Sequence, residues 1–119
     1  SLALRKPFKV DVVRDRAALA RIVSGGQIEN VYRLQMMNAS EKPLNFKIEG
    51  QGLPGLQSVT EEDVLVSPTE SRWVSVRLQM PYDAAKPGSH PIHFHIRSYD
   101  NGQQLVGELD EKSVFLVPR

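Results

Sequence analysis

Cysteine is absent from this chain of 119 residues. Its absence excludes disulfide bonds, thiolate zinc sites, cysteine nucleophiles and cysteine-ligated iron–sulfur clusters within the chain. Long apolar runs are missing as well, because none exceeds four residues, whereas a helix that spans a bilayer needs about 20. The sequence therefore predicts a segment that is soluble by itself.

An excess of charge of either sign is also missing. Fifteen Lys and Arg residues stand against 14 Asp and Glu residues, for a formal net charge of +1. Domains that bind nucleic acid carry a strongly basic surface, so we expect no nucleic-acid partner. The length fits one domain over residues 1–119, since two would each be near the lower limit of about 50 residues. The chain begins with Ser1 and has no signal-peptide pattern, so we expect a processed start or an excerpt of a longer protein.

Apolar residues recur at every second position in several stretches, as in strands that bury one face. The main strands are predicted to start at Phe8 and to cover 31–38, 44–50, 71–80, 91–99 and 113–117, with weaker candidates at 56–59, 64–66 and 104–109. The polar link 39–43 predicts a hairpin-like connection. Residues 16–23, behind a possible cap at Asp15, favour a helix of at most two turns.

Seven or eight short antiparallel strands with one apolar face each predict an all-β fold. Two sheets must bury these faces against each other, so the expected architecture is a two-sheet β-sandwich with immunoglobulin-like topology. The Cys-Trp-Cys signature of antibody domains is missing, and the likeness to them is architectural.

His93 and His95 are the best candidates for metal ligands. Residues two apart on a strand share a face, so both imidazoles can approach one metal ion, with His90 just upstream. Two histidines are too few for a typical zinc site, but surface copper(II) can complete its shell with water. The alternative, which the pattern favours, is solvent-facing polar residues on an amphipathic strand.

Other motifs give weaker signals for chemistry. Residues 50–55 spell G-x-G-x-x-G, but no amphipathic helix or βαβ unit follows, so we interpret them as a turn and expect no dinucleotide cofactor. The acidic groups at 61–63 and 110–111 lie in polar, turn-like stretches, and no G-x-S-x-G elbow occurs. No catalytic residue is predicted.

Two features are typical of interaction surfaces. Trp73 falls on the outward phase of its predicted strand, and exposed aromatic side chains concentrate binding energy. The alternative is that Trp73 covers a sheet edge or packs under a loop. Residues 14–16, Arg-Asp-Arg, follow the first strand; they are interpreted as local ion pairs, with partner docking as the alternative.

Several stretches together resemble a known bacterial family. They are RKPFKVDVVRDR at 5–16, GQIENVYRLQMM at 26–37, GLPGL at 52–56, PTESRWVSV at 68–76 and PGSHPIHFHI at 87–96. In this order they are similar to the C-terminal immunoglobulin-like domain of the CcoG family, also called FixG or RdxA. The resemblance covers nearly the whole chain.

The resemblance implies a parent protein with transmembrane helices and a cytoplasmic segment that holds iron–sulfur clusters, followed by this domain in the periplasm of a bacterial inner-membrane protein. The parent is linked to assembly of cbb-type cytochrome c oxidase and to reduction and delivery of copper. The cluster ligands of the family are cysteines, so we expect no cofactor in this domain and no enzyme activity of its own.

Three functions follow as hypotheses. The first is a non-catalytic interaction domain that docks a protein partner, either an oxidase subunit or a copper chaperone. The second is direct copper binding by His93 and His95. The third is a purely structural cap.

Overall fold

Residues 8–14, 20–59 and 63–119 are described by a computed structural model, and every regular element among them is a strand. The strands are β1 Phe8–Arg14, β2 Arg21–Val23, β3 Gln27–Asn38, β4 Leu44–Gln51, β5 Gln57–Ser58, β6 Asp63–Val66, β7 Ser71–Pro81, β8 Gly88–Tyr99 and β9 Leu105–Val117. The predicted all-β class is confirmed.

The strands form two antiparallel sheets. In the first sheet the order is β1-β3-β7-β5, and β2 pairs with β3; in the second it is β6-β4-β8-β9. Apolar and polar side chains alternate along the long strands, so each sheet has one apolar face, and the two faces pack together. The predicted two-sheet sandwich is confirmed.

Most residues of the core are those that the sequence pattern predicts to point inward. Tyr32, Phe46 and Phe94 are fully buried, and their ring contacts are edge-to-face. The buried apolar residues come from both sheets: Phe8, Val10, Ile28, Tyr32, Leu34, Met36, Leu44, Phe46, Ile48, Val64, Val66, Val76, Leu78, Met80, Ile92, Phe94, Ile96, Phe115 and Val117.

Two polar side chains of β3 join the first sheet to the edge of the second. Asn30 Nδ2 donates a hydrogen bond to the Leu116 carbonyl (3.0 Å), and Asn30 Oδ1 accepts one from the Leu116 amide (2.9 Å). The Tyr32 hydroxyl donates to the Val114 carbonyl at 2.8 Å. Since β9 is the last strand of its sheet, these side chains supply partners that a neighbouring strand would otherwise supply.

The helix predicted for residues 16–23 is wrong where the structure describes it. Arg21–Val23 forms β2, which pairs with residues 27–29 of β3. The link contains Gly25 and Gly26, both with positive φ, which residues with a side chain rarely adopt. Pairing with β3 supplies backbone partners, whereas so short a helix is marginal. Residues 16–19 lie outside the described residues.

The predicted hairpin-like connection at residues 39–43 is also wrong, because it joins strands of different sheets. β3 belongs to the first sheet and β4 to the second. The buried Asn38 holds the link, since its Nδ2 donates to the carbonyls of Lys42 (2.7 Å) and Val66 (3.1 Å). A polar link with proline fits either connection, and the pattern alone does not distinguish them.

The end of the chain forms one long strand where two segments were predicted. β9 runs through residues 105–117 and pairs with β8, with a register shift near Ser98 and Tyr99. The turn between them is closed by Asp100, whose Oδ1 accepts from the amides of Gly102 and Gln104. In the described part of the chain, no helix is long and apolar enough to cross a membrane.

Candidate functional site

The histidine pair lies on the outer face of the second sheet, as its spacing predicts. On β8, His93 is opposite Gln51 on one side and Lys112 on the other, and His95 is opposite Glu49 and Asp110. His93 Nε2 donates to Gln51 Oε1 (2.9 Å). His95 Nδ1 donates to Asp110 Oδ1 (2.8 Å). Each ring therefore has a partner of its own on a neighbouring strand.

His90 lies on the opposite face of β8 from this pair, because successive side chains of a strand alternate between the two faces. It lies in the phase of the buried Ile92 and Phe94, and it is opposite the buried Phe115. Its Nε2 donates to the carbonyl of Lys86 at 2.6 Å. Within the described ranges, no group of three His, Asp or Glu side chains is arranged to hold a metal ion.

The acidic residues considered for catalysis do not converge in the described structure. Asp110 and Glu111 lie in the middle of β9, not in a turn as predicted, and successive side chains of a strand point to opposite faces. Asp63 is exposed at the start of β6, and residues 61 and 62 lie outside the described part. Of the Arg-Asp-Arg segment, only the Arg14 backbone is described, as the last residue of β1.

The predicted turn at residues 50–55 occurs. Gly50 belongs to β4, and Gly52 and Gly55 follow with positive φ. No helix begins there, so the backbone does not present the helix N-terminus that binds a pyrophosphate.

A buried carboxylate on the outer face of the first sheet was not predicted. Glu29 is only 2% exposed. Its Oε1 accepts from the Arg21 guanidinium at 3.2 Å, and its Oε2 accepts from Gln79 Nε2 at 2.8 Å. Arg77 Nη1 lies 3.9 Å from Oε2.

The pKa of Glu29 reflects these contacts. Burial by itself raises the pKa of this carboxyl, but the hydrogen bonds from Gln79 and Arg21 and the charges of Arg77 and Arg21 outweigh burial and hold the pKa below its usual value. The cluster depends on the pairing of β2 and β7 with β3. The sequence gives no signal for this cluster, because Arg21 falls in the stretch predicted as a helix and its pairing with Glu29 follows only from β2.

Trp73 is exposed on the outer face of the first sheet, as its strand phase predicts. The indole is 46% exposed. Arg33 of the adjacent strand β3 places its guanidinium carbon 4.7 Å from the ring centroid, a cation–π contact. Trp73 is therefore a large apolar side chain that contacts Arg33 on one side and is still open to a further contact.

The described surface also has shallow depressions. One of about 310 Å³ is lined by residues that include Lys47, Glu49 and Arg97. Arg97 Nη2 lies 3.8 Å from Glu49 Oε2, and both side chains are well exposed. A solvated ion pair of this kind contributes little to stability, and no second carboxylate among the described residues lines this depression.

Comparison with known proteins gives one family match. Residues 1–118 match the family model described as "IG-like fold at C-terminal of FixG, putative oxidoreductase". The match confirms the immunoglobulin-like fold and the family resemblance of the sequence. None of the curated proteins matches the chain.

Solved structures agree on the fold. A FixG-related protein from Vibrio parahaemolyticus is 20% identical, with a TM-score of 0.74 over 94% of this chain and 97% of that chain. The structural genomics target SoR45 is 10% identical, with a TM-score of 0.57 over 98% and 89% of the two chains. A protein from Archaeoglobus fulgidus is 17% identical, with a TM-score of 0.50 over 91% and 94%.

Proposed function

The chain belongs to the family of immunoglobulin-like domains at the C-terminus of FixG, and on that basis we propose that it is a non-catalytic interaction domain. In this proposal it lies in the periplasm, at the end of a membrane-bound iron–sulfur protein. It docks a protein partner there, either a subunit of a cbb-type cytochrome c oxidase or a copper chaperone.

The exposed Trp73 is the observation that carries the proposal. Tryptophan is enriched among the residues that dominate binding energy at protein interfaces. Here the side chain lies on β7, and the contact with Arg33 restrains it. Restraint before binding reduces the entropy lost on association.

In this proposal, the redox chemistry belongs to other parts of the parent protein. Iron–sulfur clusters are held by cysteine thiolates, at least in part, and this chain contains no cysteine. The donor set of the chain therefore does not fit a cluster, and the proposed role of the domain is to bring the partner close to the redox-active segment.

Copper binding by His93 and His95 is the alternative that the described geometry favours less. Gln51 and Asp110 already engage these rings. A copper ion would have to displace at least one of these contacts or use the remaining nitrogens with water.

Co-purification tests the proposal. We expect the oxidase or the copper chaperone to be recovered with the full-length protein and lost when residues 1–119 are deleted. Trp73→Ala should reduce recovery strongly. Tyr82→Ala is the matched control, because it removes another exposed aromatic side chain, in the turn directly after β7.

Undiminished recovery without the domain contradicts the proposal. If an unrelated β-sandwich in its place restores oxidase assembly, the domain is a structural cap. Melting curves of both point variants establish that reduced recovery does not result from unfolding.

A further inference from the structure

We propose that the outer face of the first sheet around Trp73 binds an acidic segment of a protein partner, one that places an apolar side chain on the indole. This inference rests on the proposed interaction function and specifies the chemistry of the partner. We call this surface the Trp73 face; it consists of Lys9, Asp11, Val13, Arg33, Gln35, Met37 and Trp73.

The neighbours of the indole leave room for an apolar group. Ser71 and Ser75 flank Trp73 on the same face of β7, and their short side chains cannot cover the ring. Val13 lies two strands away on the same face and is 49% exposed. The indole is therefore an open apolar centre on the sheet, and Val13 adds exposed apolar surface on the far side of Arg33.

The charges nearest this centre are the basic Lys9 and Arg33 and the acidic Asp11. Over its whole length the outer face of the first sheet also carries Arg21 and Arg77, which both pair with Glu29, so the face as a whole has an excess of basic residues. Glu29 is buried beneath Arg21 and Gln79, so Asp11 is the exposed acid of the described part of this face. Charge complementarity therefore favours a negatively charged partner.

The outer face of the second sheet differs. Its charged residues are Lys47, Glu49, Asp63, Arg97, Glu108, Asp110 and Lys112, with acidic side chains in slight excess. Arg97 is paired with Glu49 at 3.8 Å. This face offers mixed charge and no tryptophan, so an acidic segment is attracted to the first sheet.

Arg33 is the residue best placed to meet a carboxylate. Among the described residues, no carboxylate lies within ion-pair distance of its guanidinium. The guanidinium instead stacks on the indole, and stacking leaves the N–H donors in its plane available for bidentate hydrogen bonds. A partner carboxylate beside an apolar side chain would contact Arg33 and Trp73 at the same time.

Fluorescence provides a direct test, because Trp73 is the only tryptophan of the chain. The probe is a synthetic peptide in which Glu residues alternate with Leu, compared with a peptide in which Lys replaces every Glu. We expect saturable change of the Trp73 emission with the Glu peptide and none with the Lys peptide.

Two variants with the same change of charge make the test specific. Arg33→Glu should weaken binding of the Glu peptide about tenfold or more, whereas Arg97→Glu on the opposite face should change it less than about twofold. Equal effects of the two variants overturn the proposal, and so does equal binding of the Glu and Lys peptides.

Phosphatidylglycerol vesicles distinguish a membrane surface from a protein segment. If the vesicles, and not the Glu peptide, change Trp73 emission in an Arg33-dependent way, the face contacts lipid and the proposal is wrong. If deletion of the domain abolishes recovery of the partner while the peptide titration stays flat, the proposed function holds and only this inference fails.

Discussion

At the scale of single residues, Glu29 and Trp73 show how strand pairing gives side chains of one face opposite environments. Both point outward from the first sheet, yet Glu29 is covered by neighbours on two strands and Trp73 is open. A buried carboxylate is tolerated because charged donors compensate the lost hydration.

Glu29 should make stability depend on pH in the acid range. Its folded pKa is below the usual 4.5, so it stabilises the fold above that value, and the contribution is lost as the pH falls through the folded pKa. Urea unfolding between about pH 7 and about pH 3 should show this loss in the native chain and not in Glu29→Gln. Glu49→Gln controls for the change of a carboxylate to an amide. Parallel curves for native chain and Glu29→Gln would contradict the assignment.

The histidine pair should have little affinity for copper(II). Each ring is engaged by its own neighbour, and no third ligand joins them in the described structure. Calorimetric titration should give similar isotherms for the native chain and the His93→Ala, His95→Ala double variant. A strong site present only in the native chain would favour the copper hypothesis instead.

Residue positions were predicted more successfully than residue contacts. The outward phase of His93, His95 and Trp73 follows from alternation along one strand, which is local information. The partners Gln51, Asp110 and Arg33 belong to other strands, and register is fixed only when the sheets assemble.

At the scale of elements, alternation of apolar and polar residues determines which face of a long strand is buried, whereas a short strand depends on the strand with which it pairs. β3, β4, β7 and β8 alternate clearly, and their buried faces were predicted. β2 has only three residues and no buried side chain, so its sequence carries no such signal, and its structure depends on pairing with β3.

Alanine substitutions should cost more stability on the buried face of a strand than on its outward face. Phe46→Ala or Phe94→Ala should each cost about 3 to 5 kcal/mol of unfolding free energy, because both rings are fully buried. Lys47→Ala and His93→Ala change the adjacent outward positions and should cost little. Denaturant melts compare the four variants, and the reverse order would mean that the faces are wrongly assigned.

A side chain at Gly50 should destabilise the fold. A Cβ there would lie 2.7 Å and 2.8 Å from the two terminal carbons of the buried Leu78, on the facing sheet. Gly50→Ala should therefore destabilise the fold by about 1 to 3 kcal/mol. Gly102→Ala, where the nearest atom is at an ordinary 3.4 Å, is the control. Equal melting temperatures for both variants would show that Leu78 moves aside without cost.

At the scale of the whole molecule, the two sheets share one core but present different outer surfaces. The all-β class and the sandwich were predictable, because single apolar faces must be buried against each other. The sequence did not predict that the link at residues 39–43 joins strands of different sheets, since a polar turn of this kind occurs both within a sheet and between sheets. The same limit applies to the charge difference between the faces, which arises only after the strands are ordered.

The contact between Asn30 of β3 and Leu116 of β9 should protect the C-terminal end of β9 from hydrogen exchange. The Leu116 amide lies on an edge strand, where deuterium normally replaces the proton quickly, but here the amide donates a hydrogen bond to Asn30 Oδ1, with 2.9 Å between N and O. We expect its deuterium uptake to be slow and limited by opening of the sandwich rather than by fraying of the edge. In Asn30→Ala, deuterium uptake at this single amide should accelerate far more than at amides paired between β4 and β8. Unchanged uptake would mean that the Asn30 hydrogen bond does not protect the Leu116 amide.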